Sequence, residues 1–310
     1  MMVGMLALAA LLAAPAERPL TAPGPQGSLA GSLADAGKGT PVVLIIPGSG
    51  PTDRDGNNPL GVAAAPYRLL AEGLAKRGVS SLRADKRGMF GSKPAIADAN
   101  KVTIADYAAD ARAWVASARS ATGAKCVWLL GHSEGALVAL AAGQRPDGIC
   151  GIITVSGPGR KLGAVMREQL KANPANAPIL APAFAALDSL EAGKSVDPAA
   201  IPAPLQPLFN AAVQPFLMDL LAQDPAKLAF SLKVPLLIVQ GDKDIQVGVA
   251  DAKLLAAAQP RAELAVLSGV NHVLKVPAGD DRAANVATYA DPSLPIAASV
   301  VEAIASTVKP

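Results

Sequence analysis

The chain has 310 residues, 51% of them hydrophobic and 17% charged, and a formal net charge of +3. This length and apolar content can bury one large core and exclude a disordered or fibrous chain. With 3% aromatic residues and no basic run, nothing favours a nucleic-acid groove or a polybasic membrane patch.

Val3 to Ala14 is an apolar run followed by the small-x-small site Ala14-Pro15-Ala16. The pattern predicts a signal peptide over 1–16, cleaved after Ala16, although no Lys or Arg precedes the run. At about 12 residues the run falls short of the ~20 that cross a bilayer, so no stable membrane span is expected. The chain is therefore read as exported, to a periplasm or the exterior.

Glu17 to Lys38 is rich in Pro, Gly, Ser and Ala and reads as linker and edge, with a weak alternation over 28–33. Val42 to Ile46 is wholly apolar and largely β-branched, as in a strand buried on both faces of a parallel sheet, and it ends in the loop Gly48-Ser49-Gly50. Helical spacing over 63–76, a strand over 79–83 and an amphipathic helix over 106–118 follow. Val127 to Leu130 then runs into Gly131-His132-Ser133-Glu134-Gly135, with a helical pattern over 136–142 and a further apolar strand over 152–155. From Pro158 to Lys233 prolines recur and the apolar pieces are short and helical. The sheet pattern resumes over 235–240, with a helix near 248–258, a last strand over 262–267 and a closing helix over 294–307. Alternating buried strands and helices predict a doubly wound, mostly parallel α/β sheet. The expected core is 17–156 with 231–310, and 157–230 is expected to be an inserted helical cap.

Cys126 and Cys150 each open a predicted strand, and the two strands are separated by one helix. Strands joined in this way usually lie side by side, within disulfide reach. A bridge and a pair of buried thiols both fit.

Gly-x-Ser-x-Gly between a strand and a helix reads as a nucleophile elbow, with Ser133 at the turn. A serine nucleophile needs a base, and the chain has 2 histidines. His132 adjoins Ser133, so its side chain is expected to point away from the face that the serine presents. By elimination His272 is the base. The base needs a carboxylate to orient it, and Asp242 and Asp244 both follow the strand over 235–240. Spacing does not choose between them. The oxyanion needs backbone donors: the Glu134 N–H and one in Gly48-Ser49-Gly50, best placed at Ser49, although an ordinary tight turn would share that sequence. The charged clusters Thr52 to Asn57 and Asp85 to Gly88 could bind a charged substrate, but loop-fixing ion pairs are the commoner reading. No Cys, His and carboxylate group has metal-ligand spacing, and no Gly-x-Gly-x-x-Gly or Walker loop follows a strand, so neither metal nor cofactor is expected.

Ile46 to Asn57, Asp85-Lys86-Arg87-Gly88, Gly131 to Gly135 and Gly241 to Val247 together resemble the α/β-hydrolase superfamily. Within it they resemble bacterial, often exported serine esterases related to dienelactone hydrolases and serine aminopeptidases. The resemblance implies an α/β-hydrolase fold and places the acid of a Gly-x-x-Asp-x-x-Val pattern on Asp244. Pro47 stands where many members carry a histidine, which removes a side-chain donor and leaves the backbone donors. The implied activity is hydrolysis of a small carboxylic ester through an acyl-enzyme on Ser133, His272 and Asp244. A peptidase or amidase on the same residues, or a catalytically silent binding protein, are the alternatives.

Overall fold

The computed structural model describes residues 17–308. The proposed signal segment 1–16 lies outside the described residues. In chain order the first elements are the strands β1 (Glu17–Pro23), β2 (Ser28–Ala34) and β3 (Val42–Ile46), helix α1 (Pro66–Ala75), strand β4 (Ser80–Ala84) and helix α2 (Ile104–Thr122). Strand β5 (Val127–His132), helix α3 (Glu134–Ala142) and strand β6 (Ile149–Val155) complete the first half. The eight strands, with β7 (Leu236–Gly241) and β8 (Glu263–Leu267), form one sheet in the order β1-β2-β4-β3-β5-β6-β7-β8. From β4 onward in that order every pair is parallel; β1 pairs with β2, and β2 with β4, antiparallel.

One expectation is corrected here. The stretch taken as linker and edge is a hairpin, and β2 is an interior strand paired on both sides. The outermost strand is β1, where Pro19 and Pro23 are tolerated because an edge strand does not need every N–H in a ladder. Those prolines mask the strand pattern in the sequence.

The apolar strands divide their side chains by period 2 between two layers. Val42, Leu44, Leu129 and Ile238 join the core under α2, α3 and helix α9 (Val249–Ala258); Val43, Ile45, Leu130 and Val239 join the core under α1 and helix α11 (Ala298–Thr307). Helix α2 is fixed in place by a capping box, with the Thr103 hydroxyl accepting from the Asp106 N–H and the Asp106 carboxylate accepting from the Thr103 N–H.

Between β6 and β7 the described chain is helical: α4 (Leu162–Lys171), α5 (Leu180–Glu191), α6 (Gln206–Phe209), α7 (Gln214–Ala222) and α8 (Pro225–Ser231), with short 3-10 turns between them. Leu187, Phe209, Leu217, Leu220 and Leu221 are buried in the layer that includes α2 and α3. Polar ties reinforce the contact: the Asp219 carboxylate accepts from the Ile104 N–H at 2.7 Å, and Arg160 pairs with Asp251 at 2.9 Å. Helix α10 (Arg282–Ala287) follows β8. Among the described residues no helix is long and apolar enough to cross a membrane.

Cys126 and Cys150 are disulfide-bonded, with a Cα–Cα distance of 5.1 Å. Adjacent parallel strands supply that spacing, which decides between the two possibilities that the sequence left open. The bridge lies at the N-terminal ends of β5 and β6, opposite the strand ends that carry Ser133 and Asp244. Closing a loop of this length contributes about 3 kcal/mol. Reduction, or a Cys126→Ser/Cys150→Ser double variant, is therefore expected to lower the melting temperature by several degrees. Calorimetry checks this, and an unchanged melting temperature would contradict it.

Candidate active site

The C-terminal ends of the parallel strands converge on one cluster. At the end of β5, Ser133 has φ 55° and ψ −122°, a left-handed conformation that a serine rarely adopts, and α3 starts at the next residue. Only glycine fits on either side of this turn. A Cβ on Gly131 would lie 2.0 Å from the Gly135 carbonyl oxygen, and one on Gly135 would lie 2.3 Å from that of Ile46. The strain and the close approach together lift the Ser133 side chain off the strand end.

His272 sits in the loop after β8, with its Nδ1 donating to Asp244 Oδ2 at 2.8 Å. The Asp244 side chain is fully buried behind it. Its Oδ1 accepts from the Gln246 and Val247 N–H groups at 2.8 and 2.9 Å, and Gln240 Nε2 donates to Oδ2 at 3.3 Å. Burial alone would raise this carboxyl, but the His272 imidazole and the backbone donors outweigh it and hold it below the usual carboxylate range. Asp242 does not reach the imidazole; its carboxylate accepts from the Gly269 N–H at 2.7 Å on the exposed side of the loop. Because Nδ1 donates to a carboxylate, Nε2 is left as the acceptor. Ser133 and His272 line one cavity, and no hydrogen bond joins their side chains among the described residues.

The residues of the two proposed backbone donors lie beside Ser133. Ser49 and Glu134 line a cavity together with Ser133, and neither N–H has a protein acceptor among the described residues. The neighbouring Gly48 N–H is already committed, donating to the Tyr67 hydroxyl at 3.0 Å. The loop is held from below as well, since Lys86 Nζ donates to the Gly48 carbonyl at 2.7 Å and lies 3.8 Å from Glu134 Oε1. Burial pulls the Lys86 ammonium down, and the Glu134 carboxylate offsets part of that. The other charged clusters also fix loops: Arg54 pairs with Asp85, Arg83 with Asp55, and Arg87 Nε with Asp110 at 2.6 Å.

The expectation for His132 is corrected. Its ring does not turn away but packs against His272, with ring centroids 4.7 Å apart, and it lines the same cavity. The sharp turn that exposes Ser133 leaves the preceding side chain beneath the site, where it bridges two loops. His132 Nε2 lies 2.8 Å from the His272 carbonyl oxygen, which can only accept, so Nε2 carries the proton. Nδ1 is then the acceptor for the Tyr67 hydroxyl at 2.9 Å. Gly48, Tyr67, His132 and the His272 backbone thus form one chain of hydrogen bonds from the β3 loop to the β8 loop. Sequence reasoning missed Tyr67, whose place in a helix 65 positions from His132 leaves no local signal.

Burial, aided by the adjacent His272 ring, pushes the His132 imidazole down to about 3. The unfolded chain binds this proton below about 6.5 and the folded chain does not, so stability is present above that pH and is lost as pH falls toward 3. The slope from one such group is up to about 1.4 kcal/mol per pH unit. Denaturant melts between pH 7 and 4 are expected to show it, and His132→Gln should flatten the curve by about one proton. An unchanged slope in that variant would contradict the burial of a neutral imidazole.

Among the described residues no group of His, Cys, Asp and Glu could hold a metal ion. The sheet order, the strained serine turn and the strand-end cluster define a class. The sequence profile of the alpha/beta hydrolase family matches residues 42–288, and the chain belongs to that family. Esterase EstD of Thermotoga maritima is 28% identical over 241 residues, covering 76% of this chain and 54% of that protein, so this chain spans about half the length of that curated relative. An esterase from Pyrococcus furiosus superimposes with a TM-score of 0.53 at 20% identity, over 83% of each chain. The esterase domain of a Rhodothermus marinus protein gives a TM-score of 0.54 at 17% identity, over 94% of this chain and 97% of its own. At these identities the structural likeness speaks for the fold alone.

Proposed function

We propose that this chain is a serine hydrolase of carboxylic esters. The observation that carries the proposal is the His272–Asp244 pair at 2.8 Å, facing a cavity that it shares with the strained Ser133. In the first half-reaction Ser133 Oγ attacks the ester carbonyl carbon while its proton passes to His272 Nε2. The oxyanion is held by the Ser49 and Glu134 N–H groups, both without a protein acceptor among the described residues. The bond to the alcohol oxygen then breaks, that oxygen takes the proton from His272, and the acyl group stays on Ser133. Water repeats the cycle with His272 as base and releases the acid. Asp244 keeps the imidazole in the tautomer that this requires and stabilises the imidazolium. The hydroxyl and the imidazole draw together when substrate fills the cavity, since such contacts are commonly long before binding. The helical segment 157–230 serves as a cap, because α4 and α7 supply the apolar wall over Ser133.

The name of the Thermotoga maritima relative supports esters as the substrate class. The peptidase alternative needs a carboxylate near the pocket to hold a substrate amine. In the helical segment Glu168 pairs with Arg160, Asp188 and Glu191 with Arg167, and Asp219, Asp224 and Asp197 accept from helix-start N–H groups. None of these six lines the cavities at Ser133. Assays of short-chain phenyl esters beside aminoacyl anilides test the proposal: esters are expected to be turned over at much higher kcat/KM, and the reverse order would move the assignment to a peptidase. The disulfide supports an oxidising, exported destination.

A further inference from the structure

Two cavities of different chemistry meet at Ser133. One, of about 270 Å³, is walled mainly by Leu162, Val165, Met166, Phe216, Leu217 and Leu220 of the helical segment. The other, of about 140 Å³, is walled by His272 with Thr52, Asn58, Gln246 and Tyr289, and by Tyr67 and His132 below. Ser49, Ser133 and Gln246 belong to both.

The two halves of an ester are assigned to these spaces by proton transfer. The alcohol oxygen must receive the proton that His272 holds, so the alcohol occupies the cavity that His272 lines. The acyl group then extends the other way, past Ser49 and Glu134, into the apolar space, which His272 does not line. The apolar cavity, at about 270 Å³, is nearly twice the polar one, at about 140 Å³, so the larger half of the ester is its acid.

The polar cavity retains hydrogen-bonding capacity. Tyr67 is spent, since it accepts from Gly48 and donates to His132. Tyr289 accepts from Gln246 Nε2 at 3.1 Å, but its own proton has no acceptor among the described residues. Burial pushes that phenol up, so the proton stays on. Asn58 Nδ2 spends one of its two protons on Thr52 at 3.0 Å. No acidic or basic side chain other than the site histidines lines this cavity, so it suits an uncharged partner.

The geometry points to an ester of a medium-length apolar acid with a small polyhydroxy alcohol, the alcohol hydroxyls being held by Tyr289, Asn58 and Gln246. This rests on the hydrolase reading above and deepens it. The test compares glyceryl octanoate with propyl octanoate, which differ only in the alcohol hydroxyls, and each with its acetyl counterpart. The glyceryl ester is expected to be favoured at least tenfold in kcat/KM, and octanoyl over acetyl. Tyr289→Phe should lower the glyceryl-to-propyl ratio about fivefold, the scale of one lost hydrogen bond. Leu217→Trp, or the milder Met166→Phe, fills the apolar space and should shift preference toward acetyl. Equal rates on glyceryl and propyl esters, or a Tyr289→Phe ratio like that of the wild type, would overturn the polyol assignment while leaving the hydrolase intact. Loss of chain-length preference in neither filling variant would overturn the acyl assignment. No turnover of any of the four esters, with no labelling by a fluorophosphonate, would overturn the hydrolase reading and this one with it.

Discussion

Ser133→Ala is expected to lower kcat on a phenyl ester by about a millionfold and to abolish labelling by a fluorophosphonate, with little change in melting temperature. The magnitude follows from the behaviour of residues that act as a unit, where loss of the nucleophile alone removes nearly everything the set contributes. A residual rate above that in water would remain, because the variant keeps the Ser49 and Glu134 N–H groups that the proposed mechanism assigns to the oxyanion. Stability should be spared, since alanine bears the same positive-φ strain at 55° and the half-buried residue loses only a hydroxyl. Labelling of the variant equal to that of the wild type would remove Ser133 from the reaction. A melting temperature lowered by many degrees would mean that the loss of activity reflects unfolding.

The second large effect separates two neighbouring aspartates. Asp244→Asn is expected to cut kcat about ten-thousandfold with KM little changed, while Asp242→Asn stays within a few-fold of the wild type. The asparagine keeps the shape, but it no longer balances an imidazolium and favours the wrong tautomer of the base. Its buried site, with two backbone N–H donors at 2.8 and 2.9 Å, keeps the side chain in place, so the loss falls on kcat. Asp242 holds only the Gly269 N–H from the solvent side. Comparable losses from both variants, or a larger loss from Asp242→Asn, would reassign the acid.

The fold was legible where one strand or helix writes its own pattern. The unbroken apolar run over Val42 to Ile46 announces a strand covered on both faces, and β5, β6 and β7 read the same way. The hairpin of β1 and β2 was not legible, because the prolines of an edge strand and the small residues Ala30, Gly31 and Ser32 hide the alternation. Ser133 was marked by its two glycines, although only Gly131 answers a local contact, with the Gly135 carbonyl, while Gly135 makes room for the Ile46 carbonyl of a distant strand. His272 was reached only because the chain offers so few imidazoles. Tyr67, Gln246, Asn58 and Tyr289 carried no mark, since each looks like an ordinary helix or loop residue until the chain closes.

By itself, then, the sequence determined the parallel α/β layering, the serine turn and the short list of partners for it, because these follow from hydrophobic period and local backbone sterics. It left open which aspartate meets His272 and whether the cysteines join, and it sent the His132 ring the wrong way. Those were decided by the tertiary structure, which brings His132 against the His272 carbonyl across 140 positions at 2.8 Å. The division of the space around Ser133 into an apolar and a polar cavity has the same origin. Its walls come from the helical segment on one side and from the loops after β3 and β8 on the other, and no local pattern encodes which of these surfaces will face each other.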